Sequence, residues 1–595
     1  MKKLLKAVSL MIAAVLALGV LSGCVTTQKK TDGGIDLIKG SGEAVTLYNS
    51  LAVSMPLLTA APTELLTKIP ASVTVITADT VYENFVGIIS DNDFLEAGIL
   101  LASQNERGSF VITEELTVTQ SVTVASNVIL CFRGEGKINL GAGAHLYFEN
   151  GSEIIAGKTK IFSGNVNNIS LIADPENSAA PLSMGARPEW FGASSKDGLG
   201  VANCDSAAIS AAISFATKVY LSAGEYLVNS TVTLPTSHSV ELIGSGRNAS
   251  KLVLGGEART YFVGNGSNVG FYDMNIEQIG HLKTASFLSL VGGELTLSAV
   301  ACYGIANVFT LTDCTGLRCE YLFANSNVVV FNANGCTDMN FISSLGNSNK
   351  NFLVATNCSN ITAVNSSSVW NYGTDYTFYN CHGIVMNALG CDLGYDRCNG
   401  QTGEIYELNQ FAIYMSNCYD FTLKNLWVAS NYGLSKTHAP LTDYNGNIGA
   451  YPDGVHEASN RTGICLVGCY KGSVAYCTIT NHAVAVKISA SPDVALNAGN
   501  EIVFLGNQFV GNVLKEVMMN GARNIAFHYN SHKQYHAGEF ASCDELDGAG
   551  CSNVAFIGET FYGYNSIAEL QARFVNSTGI LFNSIIDAKT GNVLV

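Results

Sequence analysis

The chain has 595 residues, a net charge of −16 and a charged fraction of 13%, about half the roughly 25% usual in soluble domains. With 47% hydrophobic residues, 59 glycines and 10 prolines, it excludes intrinsic disorder as the main state, which needs low hydrophobicity and high charge. Its 48 acidic residues outnumber 32 basic ones, and no Lys/Arg cluster forms a motif, which argues against nucleic acid as a partner.

Lys2, Lys3 and Lys6 precede an apolar run from Ala7 to Leu21. The run is short for a bilayer span but suits the h-region of an export signal. It ends in Leu21-Ser22-Gly23-Cys24, followed by the polar stretch Thr26-Thr27-Gln28-Lys29-Lys30. This segment resembles a bacterial lipobox. The resemblance implies cleavage before Cys24, acylation of its thiol, and a protein held in the cell envelope, at the outer membrane or cell surface. The expected boundaries are a signal at 1–23 and a tether at 24–40. No second apolar run of membrane length follows, so the expected membrane partner is reached through lipid alone.

Residues 41–184 read as an N-terminal β-rich region. Its first part, 41–110, carries mixed apolar segments without a clear period. Between 111 and 172, apolar residues alternate (Val118, Val122, Val124, Val128, Leu130) around the turns Gly134-Glu135-Gly136 and Gly141-Ala142-Gly143.

Residues 185–254 hold Gly185-Ala186-Arg187-Pro188-Glu189-Trp190-Phe191-Gly192-Ala193, then Asp205-Ser206-Ala207-Ala208-Ile209, then Gly224-Glu225-Tyr226-Leu227-Val228. About seventy residues here resemble the opening of the pectate-lyase-like superfamily of right-handed parallel β-helices, a fold also used in phage tailspikes. The resemblance implies a Trp-Phe-Gly-Ala segment leading into a short helix that covers the open end of a solenoid. A tailspike-like assembly would be a trimer. The composition agrees with a helix at Ala207–Phe215, with Asp205 as its N-cap. Fold alone does not give function, since many activities and plain adhesins share this one.

From there to residue 595 the chain repeats. Cys314, Cys336, Cys358 and Cys381 are separated by 22, 22 and 23 residues, each with apolar or small residues five and three positions earlier. The pattern returns at Cys418 and Cys469, then at Ser491, Ala522 and Cys551. A period of 22 with two-residue alternation and Asn/Gly corners predicts one coil of a parallel β-helix, about a dozen coils and ~60 Å long. The cysteines then form a ladder of small buried residues instead of a disulfide framework. The expected class is all-β, a right-handed parallel β-helix over 185–595 with an N-terminal β-rich and capping region.

Breaks in the period locate the chemistry, because regular coils are scaffold. Cys381 to Cys418 spans 37 residues and Cys418 to Cys469 spans 51. Both excesses fall at the same phase of consecutive coils, so they should wall one groove. The first insertion brings Asp392, Tyr395, Asp396 and Arg397; the second brings Tyr432, Asp453, His456 and Arg461. The floor follows from alternation: Tyr379, Tyr414 and Lys487 point outward, with Trp370, Tyr372 and Asp375 one coil before and His482 one coil after.

Aromatics beside carboxylates and a few cations suit a polysaccharide, whose ring faces stack while its hydroxyls hydrogen-bond. The expected catalytic set is Asp396, Arg397, Asp453, His456 and Lys487. The expected binding set is Trp370, Tyr372, Tyr379, Tyr395, Tyr414, Tyr432, Arg461 and His482. Two carboxylates such as Asp396 and Asp453 would serve hydrolysis. A lyase would instead neutralise a uronate with an arginine while Lys487 or a tyrosine removes the C5 proton. No cofactor is required, and the acidic insertions offer the oxygen ligands that Ca²⁺ takes. The polygalacturonase set and the Asp-Pro-His-Asp run of alginate epimerase relatives are both missing. A non-catalytic adhesin or glycan-binding protein is therefore the main alternative.

Overall fold

A short strand that recurs every 22 residues must return to the same azimuth, so the chain winds about an axis and stacks at strand spacing. The computed structural model describes residues 27–29, 35–37, 74–76, 108–149, 151–171, 185–195, 205–371, 373–393, 410–430, 461–480, 482, 484–491, 500–512, 515–533, 546–561, 564 and 566–594. The chain divides into two units, Met1–Ala71 and Ser72–Val595. In the first, Thr27–Lys29 pairs antiparallel with Ile35–Leu37.

The second unit is a right-handed parallel β-helix with three long sheets of 15, 14 and 13 strands. One regular coil contributes Gly316–Glu320 to the first sheet, Phe323–Asn325 to the second and Val329–Asn334 to the third. Phenylalanines stack through the interior; the Phe309 and Phe331 rings lie 5.0 Å apart and nearly parallel.

Winding begins earlier than the 22-residue pattern suggests. Val128–Phe132 pairs in parallel with Gly108–Ile112 on one side and Glu153–Ile155 on the other. The helix Ser206–Phe215 is therefore covered on both sides instead of closing an open end. Its Phe215 ring meets Phe148 at 5.2 Å and Phe162 at 6.2 Å. Asp205 precedes this helix but makes no side-chain cap bond. Its carboxylate instead accepts the backbone N–H groups of Ser194 and Leu227, each at 2.9 Å, and so ties the Trp-Phe-Gly segment to the first coil.

The cysteine slot is the corner between the third and first sheets. Cys314, Cys336, Cys358, Cys381, Cys418 and Cys469 are all buried there. The backbone N–H groups of Cys336, Cys358 and Cys381 donate to the sulfur one coil ahead at 3.3–3.4 Å. The thiol thus satisfies a corner amide as well as filling space, which a plain hydrophobe could not do. All 13 described cysteines are free.

The opposite corner, between the second and third sheets, is a second ladder. Asn327 and Asn349 are fully buried, and their amide oxygens accept the backbone N–H groups of Ile305 and Asn327. This corner follows Gly390–Leu393, Trp427–Ser430 and Ser531–Lys533, and precedes Gln410–Ser416, Arg461–Val467 and Leu546–Ala549. Residues 394–409, 431–460 and 534–545 therefore all fall in the chain at this corner, whereas the extra residues 492–499 fall at the cysteine corner, between Val484–Ser489 and Ile502–Leu505.

Candidate functional site

The third sheet next to that corner follows the expected alternation only in part: Tyr379 is exposed and Tyr414 and Lys487 are half-buried, whereas Thr377, Cys465 and Asp375, expected outward, are buried. Strand register aligns Thr377, Tyr414, Cys465, Lys487 and Met518 in one row. Tyr379, Ser416, Val467 and Ser489 form the parallel row beside it. Tyr379 is exposed, and its ring lies 5.6 Å from that of Tyr414, which in turn meets Phe411 at 5.0 Å.

Burial raises the Tyr414 hydroxyl above its ordinary pKa; Cys465 adds to this and a hydrogen bond with Ser416 opposes it. Tyr414 therefore stays protonated at neutral pH and is a hydrogen-bond and proton donor. Cys465 is buried between Tyr414 and Lys487. Desolvation pushes its thiol up to about 11, against the opposing charge of Lys487. A small thiol flanked by two long polar side chains leaves room for both to reach over it, across about 10 Å of axis.

Trp370 explains the single 23-residue spacing. Register shifts between Val369 and Asn371, so Trp370 is the extra residue of a β-bulge. It has φ 58° and is 47% exposed. A bulky residue in the left-handed region is strained, and here the strain turns an indole out to solvent beside the insertion corner.

The bulge also reorganises the interior. Asp375 lies in the slot filled by Phe352 one coil before and Ala412 one coil after. It is fully buried, and its Oδ1 accepts from Ser368 Oγ at 3.0 Å and from Asn371 Nδ2. Its Oδ2 has no hydrogen-bond partner. Burial pushes this carboxyl well above the usual range, the bonds from Asn371 and Ser368 oppose the shift, and nearby Asp392 adds to it. A raised carboxyl stabilises the fold at low pH and loses that contribution as pH rises through its folded-state value. Asp375→Asn is therefore expected to gain on wild type by about 1.4 kcal/mol per pH unit from pH 4 up to that value. Denaturant midpoints measured across pH check this; parallel curves for the two proteins would contradict it.

His482 is a correction. The outward position expected for it is not found: the residue is fully buried. It occupies the corner slot of Asn327 and Asn349, and its backbone N–H donates to Asn512 Oδ1 as theirs do one coil ahead. Its ring lies over Gly463, where a Cβ would come within 3.0 Å. It therefore belongs to the core and not to a binding face.

Arg461 pairs with Gln410 at the start of its strand, which places its backbone at the insertion corner. Tyr372, Tyr395, Asp396, Arg397, Tyr432, Asp453 and His456 lie outside the described residues, as does Cys24. Among the described residues, no group of three His, Cys, Asp or Glu side chains is placed to hold a metal ion.

Two features escaped the sequence reading. Trp427 is 45% exposed on the second sheet. Glu516, His532 and Glu559 form a fully buried polar cluster in the last coils. A charge at the inward slot held by Ala485 one coil earlier was the available signal for Glu516.

These features define a parallel β-helix protein with an aromatic, lysine-bearing face beside three insertions. No protein-family model and no curated protein matches the chain. Among solved structures it is similar to tailspike protein 3 of bacteriophage CBA120, at 12% identity over 69% of this chain and 62% of that one, with a TM-score of 0.37. The chain thus corresponds to about six tenths of that tailspike's length. It is also similar to the A-module of the mannuronan C-5 epimerase AlgE6 of Azotobacter vinelandii (15% identity, 67% and 99% of the chains, TM-score 0.36). A third is the Streptococcus pneumoniae surface protein and adhesin PfbA (13%, 67% and 98%, TM-score 0.33).

Proposed function

We propose that the protein binds a polysaccharide along the outer face of the third sheet and cleaves it there. The observation that carries this reading is the register that puts Tyr379 and Tyr414 on neighbouring coils and Lys487 two coils further along the same face, beside the corner at which residues 394–409, 431–460 and 534–545 fall. Sugar ring faces stack on Tyr379, and Tyr414 donates to glycan oxygens.

The chemistry divides by substrate. With a uronate, the Lys487 ammonium pairs with the carboxylate, Tyr414 protonates the leaving oxygen, and a base from the insertions takes the C5 proton. With a neutral glycan, two insertion carboxylates such as Asp396 and Asp453 act as acid and base. A Ca²⁺ ion held by the acidic insertions would favour the first course by bridging to the uronate. The second reading, a surface adhesin that binds without cutting, draws on the same exposed aromatics.

The test is incubation with alginate, polygalacturonate, xylan and soluble α- and β-glucans, following unsaturated products and reducing ends together. Unsaturated products mark a lyase, and reducing ends alone mark a hydrolase. Binding without either supports the adhesin, and no binding at all contradicts both readings.

We also propose acylation of Cys24 and attachment of the protein to the cell envelope by that lipid, on the strength of Leu21-Ser22-Gly23-Cys24. Labelled fatty acid should enter the wild-type chain expressed in a bacterium and not Cys24→Ser. Equal labelling of both would contradict it.

A further inference from the structure

The corner between the first and second sheets keeps one form from coil to coil. Between Lys424 and Thr560 two residues cross it each time, as from Ala475 to Thr478 and from His528 to Ser531. The first of the two takes a left-handed backbone. That conformation favours glycine, asparagine and small residues, and Ser343, Asn365, Asn425, Gly506 and Gly558 stand at this position in their coils. Tyr476 and Tyr529 depart from the rule. Their φ values are 55° and 56°, and they are 55% and 67% exposed. A bulky residue strained in this way, with little burial to offset the strain, points to a use at the surface and not to folding.

Glycines set the direction of both rings. A Cβ on Gly506, one coil on, would come within 2.9 Å of the Tyr476 ring, and one on Gly558 within 2.5 Å of the Tyr529 ring. Each ring is therefore laid along the corner over the next coil, and the two stand two coils apart, about 10 Å along the axis. Trp427, one coil before Tyr476 and next to the corner on the second sheet, adds a third exposed ring to the strip. Each tyrosine has a basic neighbour. Lys424 Nζ lies 6.0 Å from the centre of the Tyr476 ring, and the His528 imidazole lies 6.4 Å from that of Tyr529.

The strip also lacks acids. Among the described residues, the outward rows flanking the corner carry no carboxylate, from Lys424 to Ile557 on the first sheet and from Trp427 to Thr560 on the second. Glu559 at the corner is buried and bonded to Asn530 and His532. In a chain with 48 acidic and 32 basic residues, an acid-free strip that carries a lysine selects an anionic partner.

We propose that Tyr476, Tyr529, Trp427 and Lys424 form a second carbohydrate site, an anchor for an acidic polysaccharide of the polyuronate class. It rests on the proposed polysaccharide function and deepens it by choosing the charged class of glycan. Ring faces stack on the C–H faces of the sugars while the Lys424 ammonium pairs with a uronate carboxylate. The second sheet separates this corner from the insertion corner. A polymer long enough to cross that sheet is held at both places, which raises its local concentration at the third sheet.

The test is affinity electrophoresis of the full chain in polygalacturonate, xylan and polyglutamate. Polygalacturonate should retard the wild-type protein most. Tyr476→Asn combined with Tyr529→Asn should weaken that binding about tenfold. The thermal midpoint should not fall, because asparagine is a residue that other coils place there. Lys424→Ala should weaken binding and flatten its dependence on salt. Tyr321 is the control: it stands at the same corner with φ 55° and 55% exposure, but beside Glu320. Tyr321→Asn should bind as wild type does.

Unaltered polygalacturonate binding by the double variant would overturn the anchor. So would equal retardation by xylan, which removes the selection for charge, or by polyglutamate, which leaves charge alone as the cause. Loss of binding together with a lowered thermal midpoint would make the tyrosines structural. These failures are separable from failure of the third-sheet site. In that case Lys487→Ala would leave uronate turnover unchanged while the tyrosine variants still lost binding.

Discussion

Lys487→Ala is expected to lower turnover of a cleaved uronate by about 10²–10⁴-fold, the range for loss of a positioned acid–base or charge-stabilising group. The residue lies outward on Val484–Ser489, between Cys465 and Met518, and is half-buried. Its strand neighbours Val486 and Ile488 carry the core packing, so folding stability should move by no more than about 0.5 kcal/mol. Lys487→Arg keeps the charge but not the compact, flexible ammonium, and should recover binding more than rate. Tyr414→Phe should share part of the loss, because it removes the protonated hydroxyl that burial holds ready. Steady-state kinetics on the substrate chosen by the glycan panel check this, and an unchanged kcat for Lys487→Ala would remove the residue from the chemistry.

His532→Ala is expected to destabilise the last coils by about 3–5 kcal/mol, the cost of leaving a buried charge without its partner. His532 Nδ1 meets Glu516 Oε2, and Nε2 lies 3.3 Å from Glu559 Oε2. All three side chains are buried, and the imidazole lies between Phe509 at 4.9 Å and Phe561 at 4.4 Å. Glu559 is further held by Asn530, whose backbone and side-chain N–H groups donate to Oε1 at 2.9 and 3.0 Å.

Burial raises the Glu516 carboxyl, and His532 is what opposes the rise. The stability that comes from a raised carboxyl is present at low pH and lost as pH increases. The deficit of His532→Ala should therefore widen above about pH 4.5, where an unfolded glutamate ionises. Glu516→Ala combined with His532→Phe places in these slots the residues that neighbouring coils already use, Ala485 and Phe509. That pair should recover only part of the loss, because Glu559 Oε2 is still left without the imidazole, and adding Glu559→Gln should recover more. Hydrogen exchange in Lys515–Asn520 and Arg523–His528 reads the effect locally. Unchanged protection in His532→Ala would contradict it.

The solenoid was legible because its physics is periodic. One cysteine slot repeated at 22 residues is enough to define coil length, inward and outward rows and the insertion corner. Aperiodic features were not legible. The sequence places His482 one coil past the floor, but whether a corner residue points in or out depends on the turn, and this turn points inward as it does for Asn327. Asp205 has the residue type and position of a helix cap, yet a strand amide competes for its carboxylate and wins. The 23rd residue between Cys358 and Cys381 is visible as a count, but nothing local says that Trp370 is the bulge. The buried Glu516–His532–Glu559 cluster joins three elements that only the stacking brings together, and spacing within one segment cannot report it.

The proposed glycan site runs along the third sheet beside the insertion corner. A structure of the protein with the oligosaccharide that the panel selects tests it most directly. The expected result is a sugar chain crossing several coils parallel to the axis, stacked on Tyr379 and within hydrogen-bond reach of Tyr414 and Lys487. A sugar chain bound only on the first sheet, or on the third sheet before residue 356, would contradict it.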